Sequence, residues 1–295
     1  MGRTTARSHF ALPEQRSGGS LMFYSAEGSD PTARRILRTF PAFQILLQPI
    51  VDLETETVYA YEALCRGMHG ESYSDLIADF EPWQIPSFDK LAMAKSLKLA
   101  STMRLEQRGA KVAINLGPLM ELRNKDACYV VRLAKHYGLR PDAVMLELSE
   151  GVRMDGIELA RIVDLHRKAG IIIAIDDFGA GYAGLNVLAR CAPDVVKIDR
   201  ELIKGIESNR AKKTIVEAFS KVCRKLRVKL IAEGVETVEE YLTLRGFGIR
   251  FMQGFLFAHP MACELPQVRF PKAEPKYFSR ITRDEREWFR NALRQ

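Results

Sequence analysis

Ile171-Ile172-Ile173-Ala174-Ile175-Asp176-Asp177-Phe178-Gly179-Ala180-Gly181-Tyr182-Ala183-Gly184-Leu185 opens with five apolar residues, four of them β-branched. The run is too short for a free-standing helix and reads as a buried parallel strand. It ends in two adjacent carboxylates, Asp176 and Asp177, followed by three glycines in six residues. Adjacent anions at a strand end half-shielded from water repel each other and resist ionisation. Two readings account for them. One is a polar turn in which an Asp caps the next helix. The other is a divalent-cation site whose charge keeps both carboxylates ionised. The glycines then let backbone approach a ligand, or form a mobile loop over it.

Strand and helix signals alternate on both sides of this stretch. Upstream, Phe43 to Leu53 reads as a strand that Pro49 confines to an edge or an irregular end. Glu54-Thr55-Glu56 turns it into a second strand, Thr57 to Cys65, as an antiparallel hairpin. A helix is expected from an N-cap at Ser87 to about Gln107, burying Phe88, Leu91, Ala92 and Leu99. Strands follow at Lys111–Leu116 and Val144–Leu148, with helices over about 125–137 and 157–168. Downstream, a short helix is expected at Leu185–Arg190, a strand at Asp194–Ile198 and a helix at about 210–226. Ile215, Phe219, Val222 and Leu226 mark a helical stripe on the last of these. A strand at Val228–Ala232, a helix at Val238–Leu244 and a strand at Ile249–Phe257 complete the series, and Ile281–Leu293 could form a charged helix. Eight strands with intervening helices in about 225 residues fit an α/β fold, a TIM-like (β/α)8 barrel with one antiparallel strand near the start. An open dinucleotide-binding sheet is disfavoured, because no Gly-x-Gly-x-x-Gly follows the first strand.

The chain has 295 residues and a formal charge of +7. The excess lies at the two ends: residues 1–43 carry six Arg against three acids, residues 269–295 carry eight Lys or Arg against four, and the stretch between is neutral. Solvated tails explain this better than a nucleic-acid surface, so no nucleic-acid partner is expected. Three segments follow: a partly disordered N-terminal tail at 1–38, a barrel at 39–268 and a basic C-terminal tail at 269–295. No apolar run approaches the roughly 18 residues that cross a bilayer, and there is no secretory signal. Five dispersed cysteines without a Cys-x-x-Cys pair read as reduced thiols in a cytoplasmic protein.

Glu62, Asn115, Glu147, Asp176, Asp177, Lys197, Glu233 and Gln253 all fall at or near strand ends. In a barrel those ends converge on one rim. A cap or a surface ion pair would explain any one of them, but not the whole series. Oxygen-rich sets select hard cations such as Mg²⁺ or Mn²⁺, and five acids exceed the needs of one ion. These residues sit in motifs: Gln48-Pro49-Ile50, Glu62-Ala63-Leu64-x-Arg66, Glu147-x-x-Glu150, Asp176-Asp177-Phe178-Gly179-x-Gly181-Tyr182, Lys197-Ile198-Asp199, Glu233-Gly234-Val235-Glu236-Thr237 and Gln253-Gly254. In this order, over about residues 40–265, they resemble the EAL-domain family of cyclic-di-GMP phosphodiesterases.

The resemblance implies that Glu62, Asn115, Glu147 and Asp176 hold one cation and that Asp176, Asp177 and Glu233 hold a second. A water between them, held or deprotonated by Lys197, would attack a phosphodiester in line to give linear pGpG. Arg66 would meet a substrate phosphate, with Gln48, Leu64, Asp199, Glu236 and Gln253 also facing substrate. Glu150 would brace the Gly179–Gly184 loop. Mg²⁺ or Mn²⁺ would support turnover, Ca²⁺ would inhibit it, and a homodimer would form beside the glycine loop. Gly117, Ser149 and Gly67 stand where the family usually has Ser, Thr and Trp. The competing reading is a catalytically silent receptor for cyclic-di-GMP or a protein; the presence of every acid favours the enzyme.

Overall fold

The computed structural model describes residues 40–117, 124–149, 156–179, 188–190 and 193–271. Glu150, most of the glycine loop, the N-terminal segment and nearly all of the basic C-terminal segment lie outside these residues.

Eight strands close a barrel: β1 (Phe43–Asp52), β2 (Thr57–Gly67), β3 (Lys111–Asn115), β4 (Val144–Ser149), β5 (Ile172–Phe178), β6 (Val195–Ile198), β7 (Lys229–Ala232) and β8 (Phe251–Gln253). Each pair from β2–β3 to β7–β8 is parallel. β1 runs antiparallel to both β2 and β8 and closes the ring. The barrel and its antiparallel first strand are as the sequence predicts. A two-residue strand, β9 (Met261–Ala262), also pairs with β1.

Pro49 does not confine β1 to an edge. It pairs opposite Tyr61 of β2, while its other side lies between the β9 partners Leu46 and Leu47 and the β8 partners that begin at Ile50. The β1–β2 register is also irregular one residue later, between Ile50 and Val51, the kind of break beside which a residue without an N–H is tolerated.

The outer helices are α1 (Tyr73–Ile77), α2 (Ile85–Thr102), α3 (Asn124–His136), α4 (Gly156–Lys168), α5 (Arg200–Ile203), α6 (Arg210–Leu226) and α7 (Val238–Gly246). α1 and α5 are too short to leave a periodic signal. Ser87 does not cap α2. The helix starts at Ile85 with Pro86 in its first turn, where a missing N–H is harmless, and it stops at Thr102. Phe88 and Leu91 are buried, but Met93, Ala94, Leu97 and Ala100 fill the rest of that face. The stripe on α6 is also corrected. Val216, Phe219, Ser220 and Cys223 face the barrel, whereas Ile215, Val222 and Leu226 are 53%, 39% and 48% exposed. The helix carries two apolar rows about one residue apart, and periodicity alone does not say which one packs. Among the described residues no helix is long and apolar enough to cross a membrane.

One apolar layer crosses the barrel: Ile50, Ala60, Ala113, Met145, Ala174, Val195, Ile231 and Phe251, one residue from each strand. Side chains two apart on a strand share a face. Two residues on towards the strands' C-terminal ends, or two back on the reversed β1, the same inward face carries Gln48, Glu62, Asn115, Glu147, Asp176, Lys197, Glu233 and Gln253. A complete polar layer is thus stacked on a complete apolar one.

Candidate functional site

Lys197 is the hub of the polar layer. Its side chain is 1% exposed, and its Nζ lies 2.6 Å from Glu233, 2.8 Å from Glu147, 3.0 Å from Asp176 and 3.4 Å from Glu62. Amides hold both oxygens of Glu62: Gln253 donates to Oε2 at 2.7 Å and Asn115 to Oε1 at 3.1 Å. Gln253 also donates to Gln48 Oε1, and Gln48 donates to Ala258 O. Gln48 and Gln253 are therefore a buried relay that orients Glu62, and both are turned inward rather than to solvent.

Asp176 and Asp177 are neighbours, and a regular strand would point them to opposite faces. β5 instead has an irregularity here: its pairing with β6 steps from Ile175↔Val196 to Phe178↔Ile198, so β5 holds one extra residue. Asp177 takes a left-handed φ of 54°. Such bulges re-aim side chains beside active sites. Asp176, Asp177 and Glu233 consequently bring carboxylate oxygens within 4.8 Å of one another, as do Glu62, Glu147 and Asp176. The two trios share Asp176.

The Glu233 segment is gripped by its neighbour. Val235 N donates to Gln253 O, and Leu256 N to Val235 O. A Cβ on Gly254 would stand 2.0 Å from Val235 O, so this close backbone approach requires glycine.

Arg66 and Leu64 line a cavity of 270 Å³ that reaches the polar layer at Asn115 and is also lined by Gly117, Ser149, Asp89 and Tyr73. Asp89 and Tyr73 were not among the sequence candidates, although an acid beside the buried Phe88 was a signal. Tyr73 donates to Asp89 Oδ1 at 2.5 Å, and burial pushes the Asp89 carboxyl up to about 6. Asp89 also accounts for Gly117, because a Cβ there would stand 1.7 Å from Asp89 Oδ2. Gly67 has the same explanation: Glu71 fills the space of its missing side chain. Asp199 accepts from Glu201 N and caps α5, and Glu236 pairs with Arg200.

Five carboxylates and one ammonium give the two trios a formal charge of −4. Carboxylates 4–5 Å apart repel by about 3–4 kcal/mol at an effective dielectric near 20. Burial, and then repulsion from Asp176, pushes Asp177 up to about 6. The same causes, in the same order, raise Glu233 well above the usual range. Burial raises Glu147 despite the pull of Lys197. Burial alone would depress Lys197, but Asp176, Glu147, Glu233 and Glu62 outweigh it and hold it charged. Oε1 of the fully buried Glu147 meets Lys197 Nζ at 2.8 Å, and Oε2 accepts no hydrogen bond among the described residues. Two divalent cations would supply four positive charges and the missing partner, so the donor set fits a pair of hard cations.

A barrel with an acid-rich, largely buried ring at the C-terminal ends of its strands places those acids where barrel active sites lie, and the donor set suits divalent cations. The EAL domain family model matches residues 34–260, and the chain belongs to that family. It is 29% identical over 275 residues to the blue light- and temperature-regulated antirepressor BluF of Escherichia coli K12, covering 91% of this chain and 66% of that protein. It is 33% identical over 195 residues to the probable cyclic di-GMP phosphodiesterase PdeA of the same organism, covering 65% and 26%. The chain thus spans two thirds or less of these relatives. A c-di-GMP-bound standalone EAL protein from Vibrio cholerae O395 superposes with a TM-score of 0.73 at 33% identity, over 78% of this chain and 96% of that one. The manganese/cy-diGMP complex of Klebsiella pneumoniae BlrP1 gives 0.71 at 35% identity, over 77% and 59%.

Proposed function

We propose that this chain is a divalent-metal-dependent phosphodiesterase that hydrolyses cyclic-di-GMP to linear pGpG. The observation that carries the reading is the pair of acid trios sharing Asp176 around the buried Lys197. Glu62, Asn115, Glu147 and Asp176 would hold one cation, and Asp176, Asp177 and Glu233 the other. Bound there, Mg²⁺ or Mn²⁺ supplies charge neutralisation at phosphorus and acidifies a water. The protein's own groups do the rest. Lys197, charged and fixed by four carboxylates, orients the attacking water. Glu62 is kept in register by Asn115 and Gln253. Arg66, which lines the cavity with Leu64, offers a planar fork to a phosphate. Asp199 and Glu236 would border the substrate; the role expected of Glu150 falls on residues outside those described. Ca²⁺ would bind the same oxygens but support little turnover. The protein would act in the cytoplasm. A homodimer would form through the barrel side beside the glycine loop; a monomer mass in light scattering at micromolar concentration would count against it.

The receptor reading has one observation in its favour, a relative named as an antirepressor. Incubation with cyclic-di-GMP in Mg²⁺ and in Mn²⁺, followed by chromatography, separates the two. Accumulation of pGpG is expected. Binding without turnover in both metals would replace the enzyme with the receptor.

A further inference from the structure

The four-residue helix α5 lies between the two segments that carry Asp177 and Glu233. On one side, Asp199 N donates to Phe178 O at 3.2 Å, and Leu202 occupies the space where a side chain on Gly179 would stand. On the other side, Arg200 crosses to the segment after β7. Its side chain fills the space over Gly234, Nη1 donates to Gly234 O, and Nη2 pairs with Glu236 Oε2 at 2.6 Å. Glu240, whose side chain is 3% exposed, lies 3.6 Å from Nη1. The same Glu240 carboxylate accepts from Glu236 N, Thr237 N and Gly205 N. The backbone that follows Glu233 is thus tied to α5 by one guanidinium and one buried carboxylate.

Magnitudes separate a structural role from a positioning one. Arg200 and Glu236 have side chains 28% and 40% exposed, and ion pairs this open contribute at most about 1 kcal/mol to stability. Groups that fix a metal ligand's orientation are worth far more in function, about 10–100-fold in metal affinity or activity. We infer that Arg200 is a positioning residue for Glu233, clamping the Glu233–Glu236 segment to α5 so that its carboxylate meets those of Asp176 and Asp177. The inference rests on the proposed two-cation site.

The test uses the full chain with Arg200→Met, which removes the fork but keeps the length, Arg200→Lys, which keeps the charge, and Glu236→Gln. Calorimetric Mn²⁺ titration, melting temperature, and kcat and KM for cyclic-di-GMP are read together. For Arg200→Met we expect one of two Mn²⁺ sites to weaken about tenfold or more. kcat should fall with KM within about threefold, and the melting temperature should shift by only about 2–4 °C. Arg200→Lys should recover part of the loss, because one ammonium cannot reach Gly234 O and Glu236 together. Glu236→Gln should repeat the Mn²⁺ defect more weakly. Parent-like Mn²⁺ affinities in Arg200→Met would overturn the inference. So would a parent protein that binds no Mn²⁺, since Glu233 would then have no ion to meet. A parent that binds Mn²⁺ but makes no pGpG refutes the phosphodiesterase reading alone; the clamp is then judged on Mn²⁺ affinity.

Discussion

Lys197 and Glu62 touch, yet their loss should be felt differently. Glu62→Ala removes an oxygen donor and leaves Asn115 and Gln253 without their acceptor. Metal affinity and activity should fall together, and excess Mn²⁺ should restore part of the rate. Lys197→Ala removes the ammonium that bridges four of these carboxylates and so leaves them a stronger metal site. Its turnover should still fall by roughly 10²-fold, the usual cost of losing a positioned acid–base group. The dissociation constant for cyclic-di-GMP in Ca²⁺ and kcat in Mg²⁺, measured on both variants, check this. Near-parent turnover by Lys197→Ala would remove Lys197 from the mechanism; lost binding with kcat intact would make it a substrate anchor. At this scale the sequence was informative, because polar residues at the ends of apolar runs stand out. What it hid was partnership. The Gln48–Gln253–Glu62 relay joins residues up to 205 positions apart, and nothing local signals it. Asp89 was masked by the helical pattern around it.

Among the elements, the strands were legible because buried parallel strands are continuous β-branched runs between polar breaks. Helix facing was not. On α6 the row at Ile215, Val222 and Leu226 has as good a period as the one that packs, and the choice is made by the barrel. Pro49 was half informative: β1 is not an edge strand, but its pairing with β2 is irregular one residue later, between Ile50 and Val51, and the partners on its other side change from β9 to β8 around it. The irregularity in β5 was likewise invisible. Asp176-Asp177 announces chemistry, but only the left-handed φ at Asp177 explains how adjacent carboxylates serve one cluster.

For the whole molecule, a charged layer sits on an apolar floor, and without cations it opposes folding. Burial and repulsion from Asp176 push the Asp177 carboxyl up to about 6 from 3.8, and burial raises Glu147 and Glu233 as well. Folded protein therefore holds more protons than unfolded chain above pH 3.8. For a raised carboxylate pKa, stability falls as pH rises through that window. Cations must displace these protons, so their stabilisation grows with pH. Melting curves in EDTA and in Mn²⁺, between about pH 5 and 8, should diverge as pH rises; a constant or shrinking gap would contradict the electrostatic account. On the proposed function, the polar layer holds two ions that share the Asp176 carboxylate. An anomalous difference map from a crystal grown in Mn²⁺ addresses it directly. Two peaks are expected, both within bonding distance of Asp176, one facing Glu62 and Glu147 and the other facing Asp177 and Glu233. A map with no peak there, and Lys197 still bonded to the four carboxylates, would contradict it.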